Sequence, residues 1–429
     1  MKRVLIKELK KFINEKVLIQ GWIYKVRKLK NITFIIIRDR SGLVQCVIEN
    51  SKFDINSISL ESVVSILGLV KESNNKLNPF EVEIESLEVI SKVNSELPIE
   101  INKENLEVNL DTMLNNRYLS LRHEKVNAIF KIQNMITDGF REFLKSQDFT
   151  EINTPKIVKE GAEGGSEVFE VKYFEEKAYL AQSPQFYKQM MVGAGFERVF
   201  EIGHAYRAEE HSTNRHLNEY ISLDLEFGFI ENEFDIMAME EKLLKFIIEF
   251  LNKNGKEYLD LLQVKLPEIS NEIPKITFEE ALKVLKETYN KNDLEGDLDP
   301  EGEKLLYSYA KEKFNSEFIF ITNYPRRKRP MYTMPNGENG THSFDLLFRG
   351  IEITTGGQRI HNYEMLIENM KYKGVNPRDY ESYLEIFKYG MPKHGGFAIG
   401  LERITAKILG IDNVREATLI TRDRKRLIP

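Results

Sequence analysis

Four stretches of this 429-residue chain set polar residues into otherwise apolar text, and each could do chemistry. In HSFDLLFRGIEITTGGQRIHNYEML (342–366), Asp345, Arg349, Glu352, Thr355 and Arg359 alternate with apolar residues. A carboxylate followed three residues later by a hydroxyl could hold a hard cation such as Mg2+, which takes oxygen ligands and keeps waters and phosphates in its shell. Exposed strand charges are the competing reading. In FERVFEIGHAYRAEEHSTNRHLNEYISLDLEFGF (196–229), two β-like runs flank a loop with Arg207, Glu209, Glu210, His211, Arg215 and His216. A guanidinium offers a fork of donors matched to phosphate oxygens, so this loop could hold a triphosphate and a base. A solvated hairpin laced with ion pairs would look the same. In the stretch 160–191, a Gly-rich turn leads to a strand, and Gln182, Ser183, Gln185 and Lys188 cluster where a helix begins near Phe186. Ser183 and Pro184 also suit an ordinary helix start. Finally, GGFAIG (395–400) is a small-residue strand running into a helix that opens with Glu402 and Arg403. Small residues let a flat ligand approach the backbone, although a close-packed strand–helix junction with a surface arginine needs them too.

These residues require elements to hold them. Residues 1–16 read as a short amphipathic helix. Five β-rich runs follow at 17–29, 32–40, 43–50, 62–73 and 80–91, separated by short polar turns. Five strands in so short a stretch predict a small closed barrel, and the OB-fold has this size and presents a face to single-stranded nucleic acid. The polar text of 96–122 reads as linker and hinge. A strong helical period over 124–149 follows, and beyond it strands and helices mix without a βαβ rhythm. No GxGxxG and no GxxxxGK[ST] occurs, which leaves a Rossmann or P-loop nucleotide site unsupported. Residues 232–330 read as a helical insertion carrying no chemistry.

Composition bounds the rest. Lys and Arg number 61 against 67 Asp and Glu, a net charge of −6, so bulk charge does not make this a nucleic-acid coat. A local basic surface is compatible with that total. The single cysteine, Cys46, permits no internal disulfide and no Cys-based metal cluster, and LVQCVI reads as strand core. The N-terminus lacks a secretory apolar segment, and no run long enough to span a membrane occurs. The expected location is a reducing compartment, the cytoplasm.

Taken in order, the motifs resemble those of the class II aminoacyl-tRNA synthetases. FREFLKSQDFTEINTPKI (140–157), ending near Pro155, resembles motif 1, which lies at the dimer interface. The 196–220 hairpin resembles motif 2, with YRAE at 206–209, and GGFAIGLERI (395–404) resembles motif 3. The barrel is similar to the anticodon-binding domain of the Asp/Asn/Lys subgroup. EGGSEVF, QSPQFYKQ, RGIEITTGGQRIH and RDRKRLIP are similar to the compact archaeal-type aspartyl enzymes. The resemblance implies an α+β chain: an OB-fold over 1–95, a linker over 96–122, and a catalytic domain over 123–429 with an antiparallel sheet flanked by helices. It implies a homodimeric ligase that activates L-aspartate with ATP, using Mg2+, and loads tRNA-Asp, with tRNA-Asn open as a second acceptor.

By the same resemblance Glu163, Gln185, Phe186, Tyr187, Lys188, Arg207, Thr355 and Arg359 line the aspartate pocket. Lys188 and Arg359 receive the side-chain carboxylate, and asparaginyl enzymes carry an acid where Lys188 stands. Arg207, Ala208, Glu209, Arg215, His216, Leu217, Glu352, Gly400, Leu401, Glu402 and Arg403 hold ATP. Glu352 and Thr355 hold the metal, with Asp345 as a second acid; Thr355 stands where the family usually has serine. Arg207, Glu352 and Arg403 carry catalysis. On the barrel, Phe34, Gln45 and Arg27 are expected at the anticodon, ahead of Trp22 and Tyr24, whose competing role is barrel core. An asparaginyl enzyme and a catalytically idle tRNA-binding paralogue are the alternatives.

Overall fold

In the computed structural model, the described residues are 2–51, 53, 58–162, 167–210, 213–269, 272–294 and 296–428. They form two compact units, 1–108 and 109–429. In the first, the N-terminal segment is a 3-10 helix (Ile6–Phe12) rather than an α-helix. Its spacing buries Ile6 and Leu9, three residues apart, which suits three residues per turn. Strands β1 (Lys16–Lys28), β2 (Ile32–Asp39), β3 (Gly42–Glu49), β4 (Val63–Glu72) and β5 (Phe80–Ser91) close into a barrel in the order β1-β2-β3-β5-β4. Alternation builds it: Val17, Ile19, Ile23, Ile35, Ile37, Val44, Cys46 and Ile48 point inward and are buried. Trp22 and Tyr24 lie on the outer face, so the aromatics are not the barrel core.

The second unit opens with α1 (Leu110–Asn115), α2 (Arg117–Ser120) and the long α3 (Glu124–Ser146), followed by β6 (Thr150–Glu151). A small sheet of β7 (Ile157–Val158), β8 (Glu170–Tyr173) and β9 (Glu176–Leu180) leads to α4 (Gln185–Met191). Strands β10 (Arg198–Tyr206) and β11 (Glu219–Gly228) form the motif 2 hairpin. Then come α5 (Glu233–Asn254), α6 (Lys256–Leu262), β12 (Lys275–Thr277), α7 (Phe278–Tyr289), α8 (Pro300–Phe314) and β13 (Phe318–Thr322). The chain continues through β14 (Pro335–Asn336), β15 (Gly340–Thr341), β16 (Ser343–Phe348), β17 (Ile351–Gln358), α9 (Tyr363–Tyr372), α10 (Glu381–Leu384), β18 (His394–Gly400) and α11 (Leu401–Leu409).

Among the described residues the central sheet has eight strands in the order β12-β13-β16-β17-β18-β11-β10-β6. Its pairings are antiparallel except β12 with β13 and β10 with β6. The segment 232–330 is therefore helical only in part, because β12 and β13 belong to this sheet. The cause is the run FIFIT, in which every residue is buried. Apolar residues of α3, including Ile132, Ile136, Phe140 and Leu144, recur three and four apart. They share one core with Leu243, Ile247 and Leu251 of α5, Ile404 and Ile408 of α11, and Leu223, Leu225 and Phe397 of the sheet. Helices α3, α5 and α11 thus cover one face of the sheet; on the other, α7 and α8 pack on Ile319, Ile321 and Leu347, and the part over β17, β18 and β11 is left for polar side chains.

Candidate active site

Strand alternation fills that open face. On β11, Ser222, Asp224 and Glu226 point away from the core while Leu223, Leu225 and Phe227 point into it. The register lines up Asp345, Thr355, Ala398, Asp224 and Glu201 as one row across β16, β17, β18, β11 and β10. Gly396 pairs with Glu226; a Cβ there would lie 2.1 Å from the Leu225 carbonyl and 2.5 Å from Glu226 Oε2. Only glycine lets the Glu226 carboxylate lie over the neighbouring strand.

A cavity of about 680 Å3 opens on this face. Arg207, Glu209, Arg215, His216, Leu217, Glu352, Thr355, Gly400, Glu402 and Arg403 all line it, as does Tyr220. Residues from the motif 2 hairpin, β17 and the β18–α11 junction are thus brought together. The Arg207 guanidinium lies 5.9 Å from the centre of the Tyr220 ring, and its Nη1 is 3.9 Å from Glu209 Oε1. Glu209 also faces His216 at 3.4 Å. The loop end is pinned by Asn218, whose Nδ2 donates to the Arg207 carbonyl at 2.7 Å.

Glu352 and Thr355 meet because β17 is irregular. The register slips between Leu346 and Leu347, so Ile353 has no partner and forms a bulge. On a regular strand residues three apart point to opposite faces; the bulge restores Glu352 to the face of Thr355. The Thr355 hydroxyl lies 2.9 Å from Asp345 Oδ1 and 3.1 Å from Glu352 Oε1. Arg329 Nη2 sits 2.8 Å from the same Asp345 oxygen, and Arg403 Nη1 sits 3.6 Å from Glu352 Oε1. Burial holds the Asp345 carboxyl above its usual range, with Arg329 opposing and Glu352 adding to the rise. Burial also presses on Glu352, but Arg403, Arg215 and Arg329 outweigh it and keep that carboxyl below the usual range. All the donors around Thr355 are oxygens and two are mutually repelling acids, a set that a hard divalent cation fits. Among the described residues no cluster of three or more His, Cys, Asp or Glu forms a metal cage. Such an ion would therefore depend on substrate oxygens and water for its remaining ligands.

Beside the row lies a buried charged wall. Lys188 reaches Asp224 Oδ1 at 2.9 Å and Glu226 Oε2 at 3.4 Å. Arg359 donates through Nε to Glu226 Oε1 at 3.0 Å and through Nη2 to the Gly396 carbonyl at 3.0 Å. Lys188 is 2% exposed, Asp224 1% and Glu226 0%. Burial alone would raise Glu226, but Arg359 and Lys188 hold it below the usual carboxylate range. Each of the two cations expected to receive a ligand carboxylate thus has an acid of the chain against it. Asp224 and Glu226 escaped the sequence reading, although strict alternation of Ser222, Asp224 and Glu226 with Leu223, Leu225 and Phe227 was the available signal. Two atoms of the wall have no hydrogen-bond partner among the described residues, Asp224 Oδ2 and Gln185 Nε2. Behind it, His394 Nδ1 donates to the Pro392 carbonyl at 2.9 Å, so Nε2 accepts from Gln189 Nε2 at 3.1 Å. Burial pushes the His394 pKa down to about 4, consistent with a neutral ring.

Other expected residues fall elsewhere. Phe186 and Tyr187 line a separate cavity of about 900 Å3, where Phe186 packs on Tyr380 and Tyr383. Ala208 lines a third cavity with the basic C-terminal residues Arg422, Arg424, Lys425 and Arg426. Leu401 is turned into the core. Glu402 reaches the cavity, yet its carboxylate accepts the Ile221 N–H at 3.1 Å and burial pushes its pKa up to about 7. Arg349 turns away to Glu317 at 2.9 Å. Glu163 and His211 lie outside the described residues. On the barrel, Arg27 pairs with Phe34, and Ile36 with Gln45, so Arg27, Phe34 and Gln45 share the outer face. Gln45 donates to Glu81 at 2.7 Å.

With fold and geometry in place, the comparisons with known proteins fit both. The family described as tRNA synthetases class II (D, K and N) matches residues 109–424, and an OB-fold nucleic acid binding domain matches residues 17–90. The chain belongs to the class II tRNA synthetases of this group and is an aminoacyl-tRNA synthetase, a ligase. An aspartate–tRNA(Asp/Asn) ligase of Thermus thermophilus is 50% identical over 428 residues, covering 100% of both chains. An aspartate–tRNA(Asp) ligase of Pyrococcus horikoshii is 43% identical, over 97% of this chain and 96% of its own. Among solved structures, asparaginyl-tRNA synthetase from Pyrococcus horikoshii, complexed with asparaginyl-adenylate, superposes with a TM-score of 0.92 at 31% identity over 100% of both chains.

Proposed function

We propose that this chain is an aspartate–tRNA ligase, converting ATP to AMP and diphosphate as it joins L-aspartate to tRNA-Asp. The observation that carries the reading is the buried wall of Lys188 and Arg359 beside the cavity, with Asp224 Oδ2 and Gln185 Nε2 unpartnered. Lys188 and Arg359 are shared with Asp224 and Glu226, so a distal carboxylate would bind by joining that network; the Oδ2 of Asp224 suits an ammonium, and the Gln185 amide suits a carboxylate oxygen. Identities of 50% and 43% to aspartate ligases, against 31% to an asparaginyl enzyme, support the same choice.

In the first step an aspartate α-carboxylate oxygen bonds to the α-phosphorus of ATP, and the bond to the diphosphate leaving group breaks. A carboxylate is already a nucleophile, so the chain needs to supply position and positive charge rather than a base. Arg207 is proposed to bridge amino acid and α-phosphate, and Arg403 and Arg215 to pair with the remaining phosphates; that all three line one cavity supports these roles. Glu352 and Thr355, with Asp345 behind them, are the residues that would hold Mg2+, which when bound neutralises phosphate charge. In the second step the 3′-hydroxyl of the terminal adenosine attacks the acyl carbon and AMP leaves. The outer face of the barrel, with Phe34, Arg27 and Gln45, is the proposed anticodon contact, through stacking and phosphate pairing. The printed name of the Thermus relative supports tRNA-Asn as a second acceptor. A homodimer fits the exposed Phe196 and Phe229, held in neighbouring turns by the Gly228 N–H to Glu197 carbonyl bond. The cytoplasm is the compartment that goes with tRNA charging, and among the described residues no helix is long and apolar enough to cross a membrane.

The test is pyrophosphate exchange with each amino acid. Aspartate is expected to drive exchange at least a hundredfold better than asparagine in kcat/KM, roughly the penalty for leaving buried charges mismatched. Exchange driven equally or better by asparagine would overturn the assignment.

A further inference from the structure

We infer that Glu303, on α8, is a positioning residue for the phosphate side of the site, an inference that rests on the ATP reading proposed above. Glu303 is 4% exposed and lies in the segment to which the sequence assigned no chemistry. Its two carboxylate oxygens serve two different elements. Oε1 accepts from Arg215 Nη2 at 2.8 Å, in the motif 2 loop, and Oε2 accepts from the Glu352 N–H at 2.8 Å, at the start of β17. The carbonyl of that same Glu352 accepts from Arg403 Nη1 at 3.1 Å. Glu352 is thus clamped at both backbone groups, just before the bulge that aims its side chain at Thr355. Charge-assisted bonds in a water-poor setting are short and strongly orienting.

Glu303 is itself held firmly. Asp299 caps α8 by accepting the Gly302 N–H at 2.7 Å, and Pro300 presets the first turn. Lys291 ties that turn down through Asp299 at 2.9 Å and Glu301 at 2.8 Å. The first turn of α8 therefore fixes one carboxylate, which fixes both a guanidinium and a carboxylate-bearing peptide of the cavity.

The experiment is aspartate-dependent pyrophosphate exchange by the full chain, with KM measured separately for ATP and for aspartate. Glu303→Ala is expected to raise KM for ATP roughly tenfold with KM for aspartate changed less than about twofold, the split that marks loss of ground-state contact to one substrate. Glu303→Gln, which keeps shape and one acceptor, is expected to fall between wild type and Ala, and it serves if Ala does not fold. Adding Glu303→Ala to Arg215→Ala is expected to cost less than the two single changes summed, since part of the effect of Glu303 runs through Arg215 and the rest through the Glu352 peptide. Wild-type protein with no aspartate-driven exchange would overturn the ATP reading beneath the inference. An active wild type whose folded variants leave KM for ATP unchanged, or shift both KM values equally, would overturn the inference alone.

Discussion

The side chain of Arg207 is 37% exposed, and Asn218 secures its backbone. Truncating it removes charge from the cavity while leaving the hairpin intact. Arg207→Ala is expected to lower aspartate-dependent exchange by about a hundredfold or more, the scale seen when one preorganised donor to a developing charge is lost. An unchanged melting temperature together with that loss places the effect in the reaction. Lys188 differs. Because Asp224 and Glu226 lean on it inside the protein, Lys188→Ala strands the buried Asp224 carboxylate and takes from Glu226 one of its two cations, leaving it Arg359. It is expected to cost about 3 kcal/mol or more of stability as well as preference for aspartate over asparagine. Calorimetry beside the kcat/KM ratio for the two amino acids reads both. The lysine was visible in QSPQFYK; its acidic partners were not, because they lie 36 and 38 residues further along the chain and only strand pairing brings them under it. A change in specificity without loss of stability would show that the wall tolerates an unpaired acid.

Helix α5 carries a burden that its sequence hides. Glu240 is fully buried against β17, and neither of its oxygens has a hydrogen-bond partner among the described residues. Burial pushes its pKa up to about 8, against a smaller opposing pull from Thr354. A raised acid favours the protonated folded state. Its contribution is therefore intact below the ordinary value of 4.5 and is lost as pH climbs through about 8. Glu240→Gln keeps the shape and removes the titration. It is expected to stabilise the chain by about 4 kcal/mol at pH 8 and by little at pH 4.5. Thermal melts of both proteins across that range measure it, and parallel curves would refute it. At this scale the sequence was legible wherever period and burial agree, as in α3 or the alternating barrel strands. It was least legible where a short strand hides among helices. FIFIT is buried throughout and apolar but for its last residue, and a run of that kind reads equally as strand or helix core. Glu303 was invisible for a related reason: it looks like any first-turn acid of a capped helix, and its partners lie 88 residues before and 49 after it.

Across the whole molecule, the proposed activation chemistry and the proposed anticodon contact fall in two different compact units. Phe34→Ala on the outer barrel face is expected to raise KM for tRNA in aminoacylation by about tenfold, the worth of one stacked base, while leaving pyrophosphate exchange at wild-type level. A loss of exchange, or unchanged charging, would remove Phe34 from that role. The division into barrel and catalytic unit was the most legible feature of all, since a cluster of five strand-like runs followed by a long amphipathic helix leaves few other architectures. The bulge at Ile353 was not legible, as nothing in GIEITTGG announces an extra residue. It makes β17 behave like a reading frame. Were β17 to pair at its present length without the bulge, Glu352 and Thr355 would stand three apart on a regular strand, and Glu352 would swing toward the helices with every letter of the motif still in place. Insertions or deletions at this spot are therefore tolerable only in numbers that return the acid to its own face.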